Sequence, residues 1–320
     1  LVPAATSHAA PTVGSGFNET WGNAEPHLDR VAQAGGLLRI SISWMKTRDG
    51  DWSDPDAAYR TMLAHGVRPL FILQGPTMPS RAVWSEFVRE ATRRYPGAAA
   101  FEIWNEPNLA AFWGGHPSPA KYVRLFRAAA ASAAPEARLL VGGLAPRLTS
   151  KNDAIGWRAY LRYLRCSGVT AIADGISYHV YVGLHRLYPD VDRSSPHRLV
   201  KRGRRIAGNP VAWITELSVA ATGDGQVRRT RRAVRSALSS GPEAILMHRL
   251  IDDGPHHRPY WRHAGMLDAR GRPKPAWTGL LNGLRRWGPV YRPLAPERDR
   301  AKKRPTSGRP CSNARYRALP

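Results

Sequence analysis

The chain has 320 residues, of which 42% are hydrophobic and 11 are tryptophan, so it can bury a large core and is not disordered in composition. No run approaches the ~18–20 consecutive apolar residues needed to cross a bilayer, which predicts that no segment spans a membrane. The formal net charge of +24 would suit an anionic partner. A codon bias toward arginine would have the same effect, since only seven of the 48 basic residues are lysine.

The two ends of the chain differ from its middle. Residues 1–14 are small, apolar and turn-rich, like the remnant of a removed export signal, which predicts a secreted or cell-envelope protein. Without such processing we expect a cytoplasmic protein. Residues 289–320 are basic and proline-rich, which predicts a loosely ordered tail after a single domain at 15–288. Cys166 and Cys311 could pair or could both be free.

Strand-like apolar runs alternate with helix-like segments along the chain. The predicted strands are residues 12–18, 37–43, 67–73, 101–104, 138–143, 175–181, 211–217 and 244–250. The clearest helical periodicity lies at 80–95, 119–134, 156–165 and 226–239. Strands that are apolar throughout are typical of a parallel sheet covered by helices on its outside. Eight such units predict an α/β fold of the (β/α)8 or TIM-barrel type. A doubly wound open sheet is the alternative, but no glycine fingerprint follows the first strand.

Helix starts are predicted where a small polar residue precedes a proline. Ser118-Pro119, Ser195-Pro196 and Asp54-Pro55 have this pattern, with the first residue as the N-cap and the proline in the first helical position.

Two glutamates lie at predicted strand ends 110 residues apart. Glu106 belongs to an Asn-Glu-Pro triplet after the fourth strand, and Glu216 ends the seventh. Active sites of such barrels lie at the carboxyl ends of the strands. A retaining glycosidase needs two carboxylates there, one to protonate the leaving oxygen and one to attack the sugar. Glu102 lies four residues before Glu106, or ~13 Å along an extended strand, so we expect a structural role near the barrel floor.

The motifs around these glutamates resemble clan A, the retaining glycoside hydrolases with (β/α)8 barrels. The second strand contains Leu-Arg-Ile-Ser at 38–41, the sixth contains Ser-Tyr-His-Val-Tyr at 177–181, and Gly-Met-Leu-Asp follows at 265–268. Together they are most similar to bacterial family 39 enzymes, with family 5 close behind, the cellulase-like and β-xylosidase-like groups. The resemblance covers roughly residues 15–288.

The resemblance implies roles for individual residues. Glu106 would be the general acid/base and Glu216 the nucleophile, kept ionised by Arg39 and Tyr181. Asn105 would hold the sugar 2-hydroxyl. We expect Trp104 to pack in the core. The residues expected to bind substrate are Asn105, Arg39, His179, Tyr181, Trp44, Trp113 and His248.

One departure from the family pattern concerns the eighth strand. It has no tryptophan at its end, so Met247 or His248 must take that place and the subsite beside the nucleophile is altered. A cluster of three histidines, His256, His257 and His263, lies in a proline-rich loop without strand-end carboxylates. We therefore expect no metal and no cofactor.

Three functions remain open from the sequence. The first is a retaining glycosidase that cleaves β-linked oligosaccharides or polysaccharides, whose substrate could be acidic. The second is a carbohydrate-binding barrel that has lost turnover. The third is a binder of nucleic acid or an anionic surface, which would require steep salt dependence and for which we find no recognition motif.

Overall fold

The computed structural model describes residues 14–151, 153–209, 211–219, 221–253 and 260–287. Eight parallel strands form a closed barrel in which each strand pairs with the next along the chain and the last pairs with the first. The predicted (β/α)8 fold is therefore confirmed. The strands are β1 (Gly14–Asn18), β2 (Gly36–Ser43), β3 (Arg68–Gln74), β4 (Ala100–Ile103), β5 (Leu139–Leu144), β6 (Gly175–Val182), β7 (Ala212–Val219) and β8 (Ala244–Met247).

Helices surround the barrel and connect its strands. They are α1 (Trp21–Ala24), α2 (Leu28–Gln33), α3 (Trp44–Thr47), α4 (Ser53–Ala64), α5 (Arg81–Arg94), α6 (Ala110–Trp113), α7 (Pro119–Ser132), α8 (Trp157–Cys166), α9 (Val169–Ile172), α10 (Pro196–Ala207), α11 (Gly223–Leu238) and α12 (Pro275–Trp287). Short 3-10 turns occur at Glu25–His27, Leu184–Arg186 and Trp261–His263. None of the helices within the described ranges is long and apolar enough to cross a membrane.

Capping residues explain where several of these helices begin. The Ser118 side chain accepts a hydrogen bond from the backbone N–H of Lys121, and the Ser195 side chain accepts one in the same way, as predicted. The prediction for Asp54-Pro55 is wrong, because α4 begins earlier and places Pro55 as its third residue. A proline fits there because the first four N–H groups of a helix have no acceptor within the helix.

The barrel interior has an apolar lower layer and a polar upper layer. Leu37, Leu70, Leu140 and Trp213 form a buried cluster inside the barrel, apart from the larger core beneath the helices. Alternate residues of a strand share a face, so Arg39 points inward two residues above Leu37. Polar side chains are thus held at the carboxyl ends of the strands, above an apolar floor.

The ends of the chain lie outside the described residues. These include residues 1–13, the predicted tail at 289–320, and Cys311. The pairing of Cys166 with Cys311 and the proposed domain boundaries therefore stay predictions.

Candidate active site

The loop after β4 departs sharply from strand geometry. Trp104 and Glu106 have φ angles of 68° and 39°, in the left-handed region that side chains rarely adopt. Such conformations cost on the order of 1–3 kcal/mol each and persist only when the surroundings fix them. Here the N–H of Glu106 donates to the carbonyl of Gly143 over 3.0 Å. The Asn108 side chain ties the loop to β5 by accepting from the N–H of Ala145 and donating to its carbonyl. The strained turn is thus held by the end of β5 and the residue that follows it.

Arg39 is the centre of the polar layer. Its guanidinium is 1% exposed and reaches five side chains from β1, β4, the β4 loop, β6 and β7, with His179 of β6 at 3.4 Å. Nε donates to Glu102 over 2.6 Å, and Nη1 donates to Glu216 over 2.8 Å. Nη1 also donates to Asn18, and Nη2 to Asn105, each over 2.8 Å. One buried cation therefore fixes the positions of two carboxylates and two amides.

Glu102 lies closer to this network than the sequence indicates. We expected it about 13 Å below Glu106 along an extended strand, near the floor. However, β4 ends at Ile103 and the chain then turns, so the length of an extended strand does not give the distance between Glu102 and Glu106. Glu102 is completely buried, accepts from Arg39 and accepts from the N–H of Gly143 over 2.5 Å. Its structural role is to anchor Arg39 directly beneath Glu216.

Glu106 and Glu216 are brought together as a pair. Carboxylate oxygens of the two residues and a ring nitrogen of His179 all lie within 4.8 Å of one another. The Tyr181 hydroxyl lies 2.5 Å from Glu216 and 3.1 Å from Glu106, so it bridges the two carboxylates. His179 Nδ1 lies 2.8 Å from Glu106. Each of these four side chains comes from the end of β4, β6 or β7.

The surroundings of Glu216 favour its charged form. Burial acts to raise the pKa of Glu216, but the charges of His179, His248 and Arg39 and the hydrogen bond from Tyr181 outweigh it and lower the pKa to about 2. Burial also raises the pKa of Tyr181 well above its usual value, and both neighbouring glutamates add to that effect. Tyr181 is therefore a neutral hydroxyl donor, and Glu216 is an anion at every physiological pH.

The low pKa of Glu216 makes stability depend on pH. The group titrates near pH 4.5 when unfolded and near pH 2 when folded, so its contribution is complete above about pH 5 and is lost as the pH falls toward 2. Between pH 6 and pH 3 we expect wild type to lose about 2 kcal/mol more unfolding free energy than Glu216→Gln, which cannot titrate. Urea denaturation of both proteins at the two pH values measures this difference. Equal losses would contradict a depressed pKa.

The protonation of His248 follows from its partners. Asn18 accepts from Arg39 through Oδ1, so its Nδ2 must be the atom that donates to His248 Nδ1 over 2.7 Å. A nitrogen that accepts a hydrogen bond carries no proton, so His248 is the neutral tautomer with its proton on Nε2. Burial lowers the pKa of His248 to about 4, although Glu216 acts in the opposite direction. His248 therefore offers one neutral N–H donor, Nε2. Its other ring nitrogen, Nδ1, lies 3.7 Å from Oε2 of Glu216.

An open cleft of about 730 Å³ lies over the carboxylate pair. Its lining includes Asn105, Glu106, Glu216, Arg39, Tyr181 and His248, six of the predicted site residues. His179 is fully buried behind the two carboxylates, where it holds Glu106.

The cleft has aromatic walls that the sequence analysis missed. Trp21 follows β1, Phe112 lies in the β4 loop, Tyr188 follows β6, and Trp261 follows β8. The Trp261 ring stands edge-on to His248 at 5.1 Å between centroids. Trp261 thus supplies an indole beside His248 from the loop instead of from the strand. From the sequence, its position in the loop after the eighth strand was the feature that could have indicated a place in the cleft wall.

The two tryptophans predicted to stack on sugars lie elsewhere. Trp113 is 4% exposed and packs edge-on against Trp104 with ring centroids 5.4 Å apart, so both are core residues. The Trp44 indole donates to the carbonyl of Thr77 and is outside the cleft lining. Neither is brought to the carboxylate pair.

The ligand atoms of Glu106, His179 and Glu216 are close enough to hold a metal ion. They already accept from, or lie against, the Arg39 guanidinium and the Tyr181 hydroxyl. A cation would have to displace an arginine that is tied to Glu102, so these residues do not fit a metal well. Of the three loop histidines, His256 and His257 lie outside the described residues, and the backbone carbonyl of His263 accepts from Gln226.

No protein-family model matches the chain, and no curated protein matches its sequence. Its structure is similar to that of a glycoside hydrolase of family 5, subfamily 18, from Streptomyces cattleya in complex with GlcNAc. The TM-score is 0.68 at 16% identity, over 89% of this chain and 83% of that one.

Two further structures agree with this result. A family 5, subfamily 18 protein of Bifidobacterium longum subsp. infantis matches with a TM-score of 0.66 at 13% identity, over 87% of this chain and 80% of that one. A family 39 glycoside hydrolase of Bacteroides cellulosilyticus matches with a TM-score of 0.61 at 15% identity, over 85% and 64%. At these identities the likeness establishes a shared fold, the (β/α)8 barrel.

Proposed function

We propose that this protein is a retaining glycoside hydrolase that cleaves β-linked oligosaccharides or polysaccharides. The observation that carries the proposal is the pair Glu106 and Glu216, whose carboxylate oxygens lie within 4.8 Å at the base of an open cleft. Retaining enzymes have carboxyl groups ~5–5.5 Å apart, whereas inverting enzymes need ~6.5–9.5 Å to admit a water molecule. The short separation favours double displacement.

The environment of each carboxylate suits a different role. Glu216 is an anion held by Arg39 and Tyr181, which is the state that a nucleophile requires. It would attack the anomeric carbon and form a glycosyl ester while the bond to the leaving oxygen breaks. Glu106 has His179 and Tyr181 as its partners and would donate a proton to that oxygen. It would then take a proton from the water that hydrolyses the ester.

The proposal is tested by hydrolysis of a panel of aryl β-glycosides and β-glycans, with the configuration of the first product followed by NMR. Related folds bind Manβ1-4GlcNAc in S. cattleya and B. longum, so β-mannosides and β-N-acetylglucosaminides come first in the panel. We expect retained configuration in wild type and in the exposed control Glu25→Gln. Inverted product would contradict double displacement.

A second candidate is a glycan-binding barrel without turnover. The observation that favours it is His248, which stands where the resemblance implies a tryptophan beside the nucleophile. Binding of a glycan with no hydrolysis of any substrate in the panel would select this alternative.

We further propose that His248 selects substrates with a hydroxyl at the position its Nε2 proton faces. Removing one neutral hydrogen bond costs about 1 kcal/mol, so we expect His248→Phe to lower kcat/KM roughly fivefold. The matching deoxy substrate should lose nothing further with the variant. Because His248 titrates near pH 4, the effect should be constant from pH 5.5 to 8. Additive losses from the variant and the deoxy sugar would contradict this contact.

A further inference from the structure

A basic surface covers one wall of the barrel. Helices α8, α10 and α11 lie side by side, with α10 packed between the other two. They hold three, five and five lysines and arginines and a single acidic residue, Asp224. The fold thus gathers 13 lysines and arginines on three neighbouring helices.

The charges on these helices follow the helical period. Basic residues recur at positions i, i+3, i+4 and i+7, which places them on one face of a helix. Each stripe extends ~10 Å along its helix, and packed helix axes are ~8–10 Å apart, so the stripes form one continuous surface. The stripes are Arg198, Lys201, Arg202 and Arg205 on α10, and Arg228, Arg231, Arg232 and Arg235 on α11.

The opposite wall shows that arginine content alone does not produce such a surface. Helices α4 and α5 follow β2 and β3, four units away around the barrel. Their arginines are accompanied by acids. Arg94 pairs with Asp56 and Glu90, and Arg89 pairs with Glu86. A general bias toward arginine acts on both walls, yet the helices of the α8–α11 wall carry a single acidic residue of their own, and Arg158 and Arg202 there pair with Asp192 of the loop before α10.

We propose that this surface binds a linear anionic polysaccharide, separately from the catalytic cleft. Carboxylate or sulfate groups along such a chain would meet the rows of guanidinium groups, which form strong hydrogen bonds with oxyanions. Helices α10 and α11 contain no phenylalanine, tyrosine or tryptophan on which nucleobases could stack, and Trp157 and Tyr160 of α8 are buried. Neither helix has an exposed large hydrophobic residue to enter a lipid surface. The choice of a glycan over other polyanions rests on the proposed function.

Binding can be tested without turnover. The triple variant Arg228→Glu, Arg231→Glu, Arg232→Glu changes three exposed residues of α11. The matched control Arg60→Glu, Arg81→Glu, Arg93→Glu changes three exposed arginines of α4 and α5 and alters net charge equally. Both are made in the Glu216→Gln background, so the result does not depend on catalysis. The probes are polygalacturonate and heparin, with neutral dextran and a DNA duplex for comparison.

We expect the parent protein to bind the acidic polysaccharides and release them as salt rises, with no affinity for dextran. The α11 variant should bind them at least roughly tenfold more weakly, while the control stays within about twofold. Equal losses in both triple variants would overturn the proposal, because net charge alone would then be responsible. DNA binding as tight as glycan binding, with the same loss in the α11 variant, would overturn the assignment to a polysaccharide.

Discussion

Glu216→Gln is expected to lower kcat/KM by roughly 10⁴-fold or more on every substrate, because an amide cannot replace the carboxylate that forms the glycosyl ester. Glu106→Gln is expected to lose roughly 10²–10⁴-fold, and only where the leaving group needs a proton. The measurement compares a dinitrophenyl glycoside, whose leaving group needs no proton for departure, with a methoxyphenyl glycoside. For Glu106→Gln, bond cleavage should remain fast with the first and become slow with the second.

The later step provides an independent check on the same assignment. With the dinitrophenyl glycoside, Glu106→Gln should accumulate the ester, because water then lacks its general base. Added azide needs no base, so it should restore turnover and give a glycosyl azide of retained configuration. If both leaving groups suffer equally, or azide has no effect, Glu106 is not the acid/base. Glu25→Gln, on the surface, serves as the control for both measurements.

Glu102→Gln is expected to lower the free energy of unfolding by about 3 kcal/mol. Removing one partner of a buried ion pair typically costs ~3–5 kcal/mol, and Arg39 keeps Glu216, which favours the lower end. A glutamine here would present to Arg39 Nε either its NH2 group, which is a donor, or its amide oxygen, which is a weaker acceptor than a carboxylate. In wild type this nitrogen lies 2.6 Å from the carboxylate. Urea denaturation at pH 7 measures the change.

A matched pair at the other end of the barrel controls this experiment. Glu243 pairs with Arg138, and both side chains are more than a fifth exposed, so Glu243→Gln should cost about 1 kcal/mol or less. Glu102→Gln should in addition lower kcat/KM, since Arg39 loses the anchor that places Asn105 and Glu216. A stability loss no larger than that of Glu243→Gln would contradict the anchoring role.

The parts of this protein that follow from local pattern were predictable from sequence. Apolar runs predict the eight strands, and capping serines predict the starts of α7 and α10, because burial and capping act over a few residues. Glu106 and Glu216 were found because both end strands of a parallel barrel, and such ends meet at one face. The roles of Arg39 and Tyr181 were predicted only from the resemblance, and in the structure both side chains donate hydrogen bonds to Glu216.

The parts that depend on loops and on long-range packing were not predictable. The depth of Glu102 required the left-handed turn at Trp104, which no residue preference indicates. Trp113 was predicted to stack on a sugar, but in the folded protein it packs edge-on against Trp104. Trp261 lies 14 residues after the end of β8, and only the folded loop brings it to His248. Side chains placed by loops define the cleft walls, and they are the least visible in sequence.

The contact between Asn18 and His248 joins residues 230 positions apart. It forms where β8 pairs with β1 and closes the barrel. Contacts of such sequence separation are slow to form, because the intervening chain must be ordered before they contribute. During refolding, secondary structure and compaction should therefore recover well before turnover does. Recovery of turnover would therefore indicate that β8 has paired with β1 and the barrel has closed.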